Sequence, residues 1–120
     1  MLEVKIITAY PDMFPGTLGC SVVGNALEEK KWSLDIINLH NFGYDERKSI
    51  DDEPFGGGPG MIIRPDVVEK ALLSLGSHTQ IKRKLIYLTP SGNLLKQSNL
   101  SEFCQFEQLI ILSNIFLSEP

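Results

Sequence analysis

Apolar residues fall in short unbroken runs separated by longer amphipathic stretches, a rhythm that predicts strands alternating with helices. Val4-Lys5-Ile6-Ile7-Thr8-Ala9-Tyr10 is rich in β-branched side chains and closed by Pro11, which predicts a buried strand over residues 4–10. From Thr17 to Lys31, Leu18, Val22, Val23, Ala26 and Leu27 recur near helical spacing, with Glu28, Glu29, Lys30 and Lys31 crowding the far end. An amphipathic helix is expected there. Strand character returns over 33–39 with Leu34, Ile36, Ile37 and Leu39. Strand, helix and strand in succession imply a right-handed crossover and parallel pairing.

Asn41 to Arg64 has weak periodicity, many charges and a glycine cluster, so it reads as a long loop of the kind that carries function or lacks order. Pro65 suits the first turn of a helix, Asp66 and Glu69 suit its positive N-terminal end, and Val68, Ala71, Leu72 and Leu75 make its inward stripe. Gly76 is placed to end it. Leu85-Ile86-Tyr87-Leu88 predicts a third strand that breaks at Thr89-Pro90-Ser91-Gly92. Asn99 and Glu102 resemble a capping pair for a short helix carrying Leu100, Phe103 and Cys104, and a fourth strand is expected over 108–112. Strand runs that are apolar without polar alternation point to an α/β fold: a mostly parallel sheet with helices on both faces.

At 120 residues, with 42% hydrophobic and 22% charged, the chain has the size and composition of one globular domain. No stretch is apolar enough to span a bilayer, and MLEVKIITAY lacks the pattern of a secretory signal, so no membrane and a cytoplasmic location are expected. The net charge of −4 argues against nonspecific adhesion to nucleic acid but leaves room for a local contact. Arg47-Lys48 and Lys82-Arg83-Lys84 are the two basic clusters, and solvated turns are the simpler reading of both. Cys20, Cys104, His40 and His78 have no companions at metal-ligand spacing, so the chain offers no protein-ligated metal by itself.

Gly56-Gly57-Gly58-Pro59-Gly60 must shape a loop, because a helix or strand interior would cost too much entropy. It matches neither the Walker loop nor the GxGxxG fingerprint. Its backbone amides could approach a flat ligand or phosphate, or it could be a tight surface turn. Asp51-Asp52-Glu53 precedes it; adjacent acids can act as a base, Mg²⁺ ligands or partners for a base edge, but more often are merely solvated. Tyr87-Leu88-Thr89-Pro90-Ser91-Gly92 sits where α/β sheets place ligands, outside the carboxyl end of a strand.

In content, order and separation, IITAYPDMF, the segment from Ser49 to Met61 and IYLTPSG resemble the TrmD family of bacterial tRNA (guanine-N1)-methyltransferases over roughly residues 1–112. Phe55 stands where that family usually has Tyr and keeps the ring. The resemblance implies a SPOUT-like domain working as a homodimer, with tRNA as partner. It further implies transfer of a methyl group from S-adenosylmethionine to N1 of the guanosine 3′ to the anticodon, with Mg²⁺ dependence for which no ligand is named. Carried across, Tyr87, Leu88, Thr89, Pro90, Gly92 and Asn114 correspond to cofactor-binding positions. Asp51, Gly58, Pro59, Gly60 and Met61 correspond to positions around the target guanine and the dimer interface.

After Leu112 the pattern changes. The family continues with a Cys-Gly-Arg-Tyr-Glu-Gly-Ile-Asp type segment, whereas this chain has Ser113-Asn114-Ile115-Phe116-Leu117-Ser118-Glu119-Pro120. Asn114 replaces a cofactor-facing Gly, and Phe116 keeps only the ring of a Tyr. The family's catalytic Asp and Arg lie further downstream, as does its C-terminal RNA-binding domain, so residues 1–120 are expected to form an incomplete methyltransferase domain with an unfinished trefoil knot. A frameshifted or split gene would produce such a chain. The alternative is a non-catalytic remnant that folds or dimerises without turnover.

Overall fold

The computed structural model describes residues 1–52, 62–76, 81–88 and 95–113. In chain order the elements are β1 (Leu2–Thr8), α1 (Ser21–Glu28), β2 (Trp32–Asn38), β3 (Asp51–Asp52), β4 (Ile62–Ile63), α2 (Pro65–Ser74), β5 (Arg83–Leu88), α3 (Gln97–Phe103) and β6 (Gln108–Ser113). Four strands form one sheet in the order β2-β1-β6-β5, all pairs parallel, as the apolar runs predict. β3 and β4 form a separate antiparallel pair.

In-register pairing decides which side chains share a face. Ile7 and Leu112 are partners, and they join Ile110, Ala9, Leu39, Ile50, Val67 and Ala71 in one buried cluster. The α2 helix supplies that cluster with Val67 and Ala71, while Val68, Leu72 and Leu75 pack around it. Four of the five stripe residues are those expected, and Val67 extends the stripe. Arg64 is the cap, Pro65 opens the helix, and Gly76 follows it at φ 73, where a glycine is favoured. Val4, Ile6 and Thr8 are buried on the opposite face of β1.

Three expectations are corrected. The first strand starts at Leu2 and ends at Thr8, because the Thr8 hydroxyl accepts the Tyr10 N–H (3.1 Å) and the chain turns into a 3₁₀ turn at Pro11–Met13. The stretch 17–31 is not one helix: a 3₁₀ turn at Gly16–Gly19 is separated from α1 by the extended Cys20. Val22 and Val23 then point to solvent, 79% and 46% exposed, and the buried position of α1 is Gly24. A Cβ on Gly24 would lie 2.3 Å from the Gly19 carbonyl carbon and oxygen, so only glycine permits this approach. Lastly, α3 starts at Gln97, and Asn99 sits inside its first turn with Oδ1 accepting the Lys96 N–H (3.0 Å) rather than capping from outside.

The strands near 33–39, 85–88 and 108–112 appear as Trp32–Asn38, Arg83–Leu88 and Gln108–Ser113. Ile110 and Leu112 are buried because β6 lies inside the sheet, so the exposed apolar surface of the sheet is not at these residues. That surface is on the edge strand β5, where Leu85, Tyr87 and Leu88 are about half exposed. Residues 114–120, including Asn114, Ile115, Phe116 and Leu117, and any knot formed after β6, lie outside the described residues.

Candidate active site

The carboxyl ends of the four parallel strands form one rim. Register places Asn38, Thr8, Ser113 and Leu88 side by side in strand order. Strand order also turns at this point: β2 lies on one side of β1, and the later strands on the other. Open α/β sheets bind ligands in the crevice outside such a reversal. The polar rim residues are used to turn the chain away, since Thr8 is fully buried beneath the Tyr10 N–H and Asn38 Oδ1 accepts the His40 N–H (3.0 Å).

Tyr87 and Leu88 close β5 on this rim with 53% and 51% exposure. As consecutive strand residues they offer this half-open apolar surface on opposite faces of the sheet end. Thr89, Pro90, Gly92 and Asn114 lie outside the described residues. Leu88 pairs with Ser113, so the described ends of β5 and β6 lie side by side.

Asp51 begins β3 and pairs with Ile63 of β4. Gly58, Pro59, Gly60 and Met61 lie outside the described residues. Ile50, immediately before Asp51, is buried in the cluster that also holds Ala9, Leu39 and Leu112, which ties the start of β3 to the carboxyl ends of the central strands.

A second group around β3 and β4 was not singled out in the sequence. The Arg64 guanidinium lies 4.0 Å from the Tyr44 ring centroid, and its Nε and Nη2 donate to the two oxygens of Asp66 at 2.9 and 3.3 Å. The Arg64 side-chain bond holds the Asp66 carboxyl below its ordinary range. The Asp45 carboxyl is lowered as well, chiefly by the Ser49 backbone N–H, which donates to it at 2.9 Å. The legible signal was Arg64-Pro65-Asp66, a basic and an acidic residue two apart at a helix start.

The basic clusters resolve into structural roles. Arg83 is drawn inward, donating to Gln108 Oε1, to the Gly76 carbonyl (2.8 Å) and to the Leu75 carbonyl (3.4 Å). Gln108 in turn donates to Glu3 (2.9 Å), so the row Glu3-Gln108-Arg83 ties the amino ends of three strands, opposite the rim. Lys84 lies over the Phe106 ring at 5.9 Å. Arg47 and Lys48 belong to a turn in which the Lys48 N–H donates to the Asp45 carbonyl. Cys20 and Cys104 are exposed free thiols, and among the described residues no group of three or more His, Cys, Asp or Glu is placed to hold a metal.

Comparison with known proteins agrees with the motifs. The family model described as tRNA (Guanine-1)-methyltransferase TrmD matches residues 2–116, four residues beyond the end of the motif-based resemblance. A tRNA (guanine-N(1)-)-methyltransferase of Ehrlichia ruminantium (strain Gardel) is 43% identical over 116 residues, covering 97% of this chain and 49% of the relative. The protein of the same name from Wolbachia sp. subsp. Brugia malayi (strain TRS) is 46% identical with the same coverage. That of Rickettsia typhi is 43% identical over 115 residues, 93% of this chain and 47% of the relative. The chain spans about half the length of these curated relatives.

Proposed function

Since the chain belongs to the tRNA (guanine-1)-methyltransferase TrmD family, we propose that it forms the cofactor- and guanine-facing half of an enzyme that methylates N1 of the guanosine 3′ to the anticodon in tRNA. The observation that supports this reading is the pairing of Leu88 with Ser113 at the carboxyl rim, beside Tyr87–Leu112, with Ile50, the residue before Asp51, in the same buried cluster as Leu112.

S-adenosylmethionine, when bound, supplies an electrophilic methyl on a sulfonium. The half-open Leu88 lies against its adenosine and excludes water from one side, while Tyr87 faces the other side of β5. Thr89, Pro90, Gly92 and Asn114 are the further cofactor-binding positions that the resemblance assigns. Asp51 accepts a hydrogen bond from the guanine edge and orients N1, and Gly58, Pro59, Gly60 and Met61 let the backbone come close to the base. The resemblance assigns the general base and a positioning Arg to sequence beyond Pro120, so turnover is a property of a chain of the relatives' length. Mg²⁺ dependence, a homodimer, a SPOUT-type knot and a cytoplasmic location accompany the family reading. The described residues contain no helix long and apolar enough to cross a membrane.

In a second reading this length of chain folds and self-associates without turnover. The half-exposed Leu85, Tyr87 and Leu88 on β5 favour it, because a parallel sheet is normally covered on both faces. The test is nucleoside mass spectrometry on transcript tRNA incubated with S-adenosylmethionine and the chain continued by the carboxyl half of the Ehrlichia relative. 1-Methylguanosine that disappears when the target guanosine is replaced by adenosine supports the proposal. Its absence, or methylation of another base, defeats it.

A further inference from the structure

We infer that Arg64 is a positioning residue that fixes the β3–β4 pair, and Asp51 with it, against the start of α2. The inference rests on the proposed role of Asp51 beside the target guanine. Three parts of this one residue are engaged: its backbone N–H, its carbonyl and its guanidinium. Its backbone N–H donates to the carbonyl of buried Ile50 at 2.7 Å, closing the strand pair just past Ile62–Ile63. Its own carbonyl accepts the N–H groups of Val67 and Val68 (3.2 and 3.3 Å), which opens α2. Its guanidinium grips both oxygens of Asp66 and covers the Tyr44 ring.

Tyr44 is itself anchored. Its N–H donates to the Ser49 carbonyl (3.0 Å), and the Ser49 N–H donates to the Asp45 carboxylate (2.9 Å), so the ring is held by the turn that leads into Ile50 and Asp51. Gly43 lets this turn close, since a Cβ there would lie 2.4 Å from Lys48 backbone atoms. The strand that carries Asp51 is thus bounded by Tyr44 before it and Arg64 after its partner strand. A planar fork that bonds a carboxylate through two nitrogens while lying on a ring is chemistry that lysine cannot reproduce. An ordinary exposed ion pair, by contrast, contributes little and tolerates that exchange.

The test uses Arg64→Lys and Asp66→Asn. Amide hydrogen exchange on the 120-residue chain is expected to speed up at Arg64 and at the β3–β4 amides on the order of tenfold, with α2 amides such as Ala71 unchanged. In the chain extended to the relatives' length, KM for tRNA should rise about tenfold while kcat and S-adenosylmethionine affinity hold. Unchanged exchange at β3–β4 in both variants overturns the inference whatever the methyl transfer shows. A rise in the S-adenosylmethionine KM equal to that for tRNA also overturns it, because the effect would then be general. If the unsubstituted extended chain fails to methylate tRNA, the functional reading falls, and the exchange measurement still decides the role of Arg64.

Discussion

Leu88 and Ser113 stand opposite one another at the carboxyl ends of β5 and β6, the last register pair of that ladder. Leu88 and its neighbour Tyr87 stand about half in water at this rim, on opposite faces of β5, and the proposed function sets Leu88 against the cofactor. In the extended chain, Leu88→Asp is expected to weaken S-adenosylmethionine binding by at least about tenfold, since an unpaired carboxylate would meet an apolar moiety. Titration calorimetry reads this directly, and unchanged affinity would remove Leu88 from the cofactor site.

Gly24 of α1 faces the Gly19 carbonyl of the turn before it, where an added Cβ would lie 2.3 Å from the carbonyl carbon and oxygen. Gly24→Ala should destabilise the chain by about 1–3 kcal/mol despite the higher helix propensity of alanine, because the added methyl meets carbonyl atoms that cannot swing away. Urea unfolding monitored by Trp32, whose indole donates to the Val23 carbonyl (3.1 Å), reports on this region. A stabilised variant would show that α1 shifts freely.

Most of the parallel sheet was legible, because buried parallel strands announce themselves as apolar runs such as Leu109-Ile110-Ile111-Leu112. The α2 stripe was legible for a similar reason, with Pro65 and Gly76 as punctuation. The inward face of α1 was not: Val22 and Val23 have the right spacing, but Cys20 interrupts the helix and re-phases it so that Gly24 is buried. Strand order was hidden as well, since nothing local tells β6 that it will insert between β1 and β5. That insertion buries Ile110 and Leu112 and moves the exposed apolar strip to β5. The Tyr44–Arg64–Asp66 group escaped notice because its partners are twenty residues apart and only the fold unites them.

The ionised form of Asp66 is the form that Arg64 holds, so its folded-state pKa lies below the unfolded value. Its contribution is present above the ordinary aspartate value of about 3.9 and is lost as pH falls through the lower folded value. Carboxyl-carbon NMR should therefore show Asp66 titrating below that value, with Arg64→Gln moving it back up. Asp45, whose lowering comes mainly from the Ser49 N–H, should stay low in the same variant. A midpoint for Asp66 that ignores the substitution would contradict the bidentate contact.

Self-association is expected through the apolar edge of β5 rather than through β6. Sedimentation equilibrium should show a concentration-dependent rise in mass that Leu85→Lys reduces, since charge on an edge strand opposes pairing. A single monomeric species across micromolar concentrations, unaffected by the substitution, would speak against a dimer built on this edge.

The most direct measurement is radiolabelled methyl transfer from S-adenosylmethionine to transcript tRNA with Mg²⁺, run with the 120-residue chain beside the same chain extended by a relative's carboxyl half. The extended chain is predicted to methylate the guanosine 3′ to the anticodon. The shorter chain should be slower by at least 10²–10⁴-fold, roughly the contribution of a general base alone. Comparable turnover by the two would show that the catalytic groups lie within residues 1–120, and no transfer by the extended chain would contradict the methyltransferase account altogether.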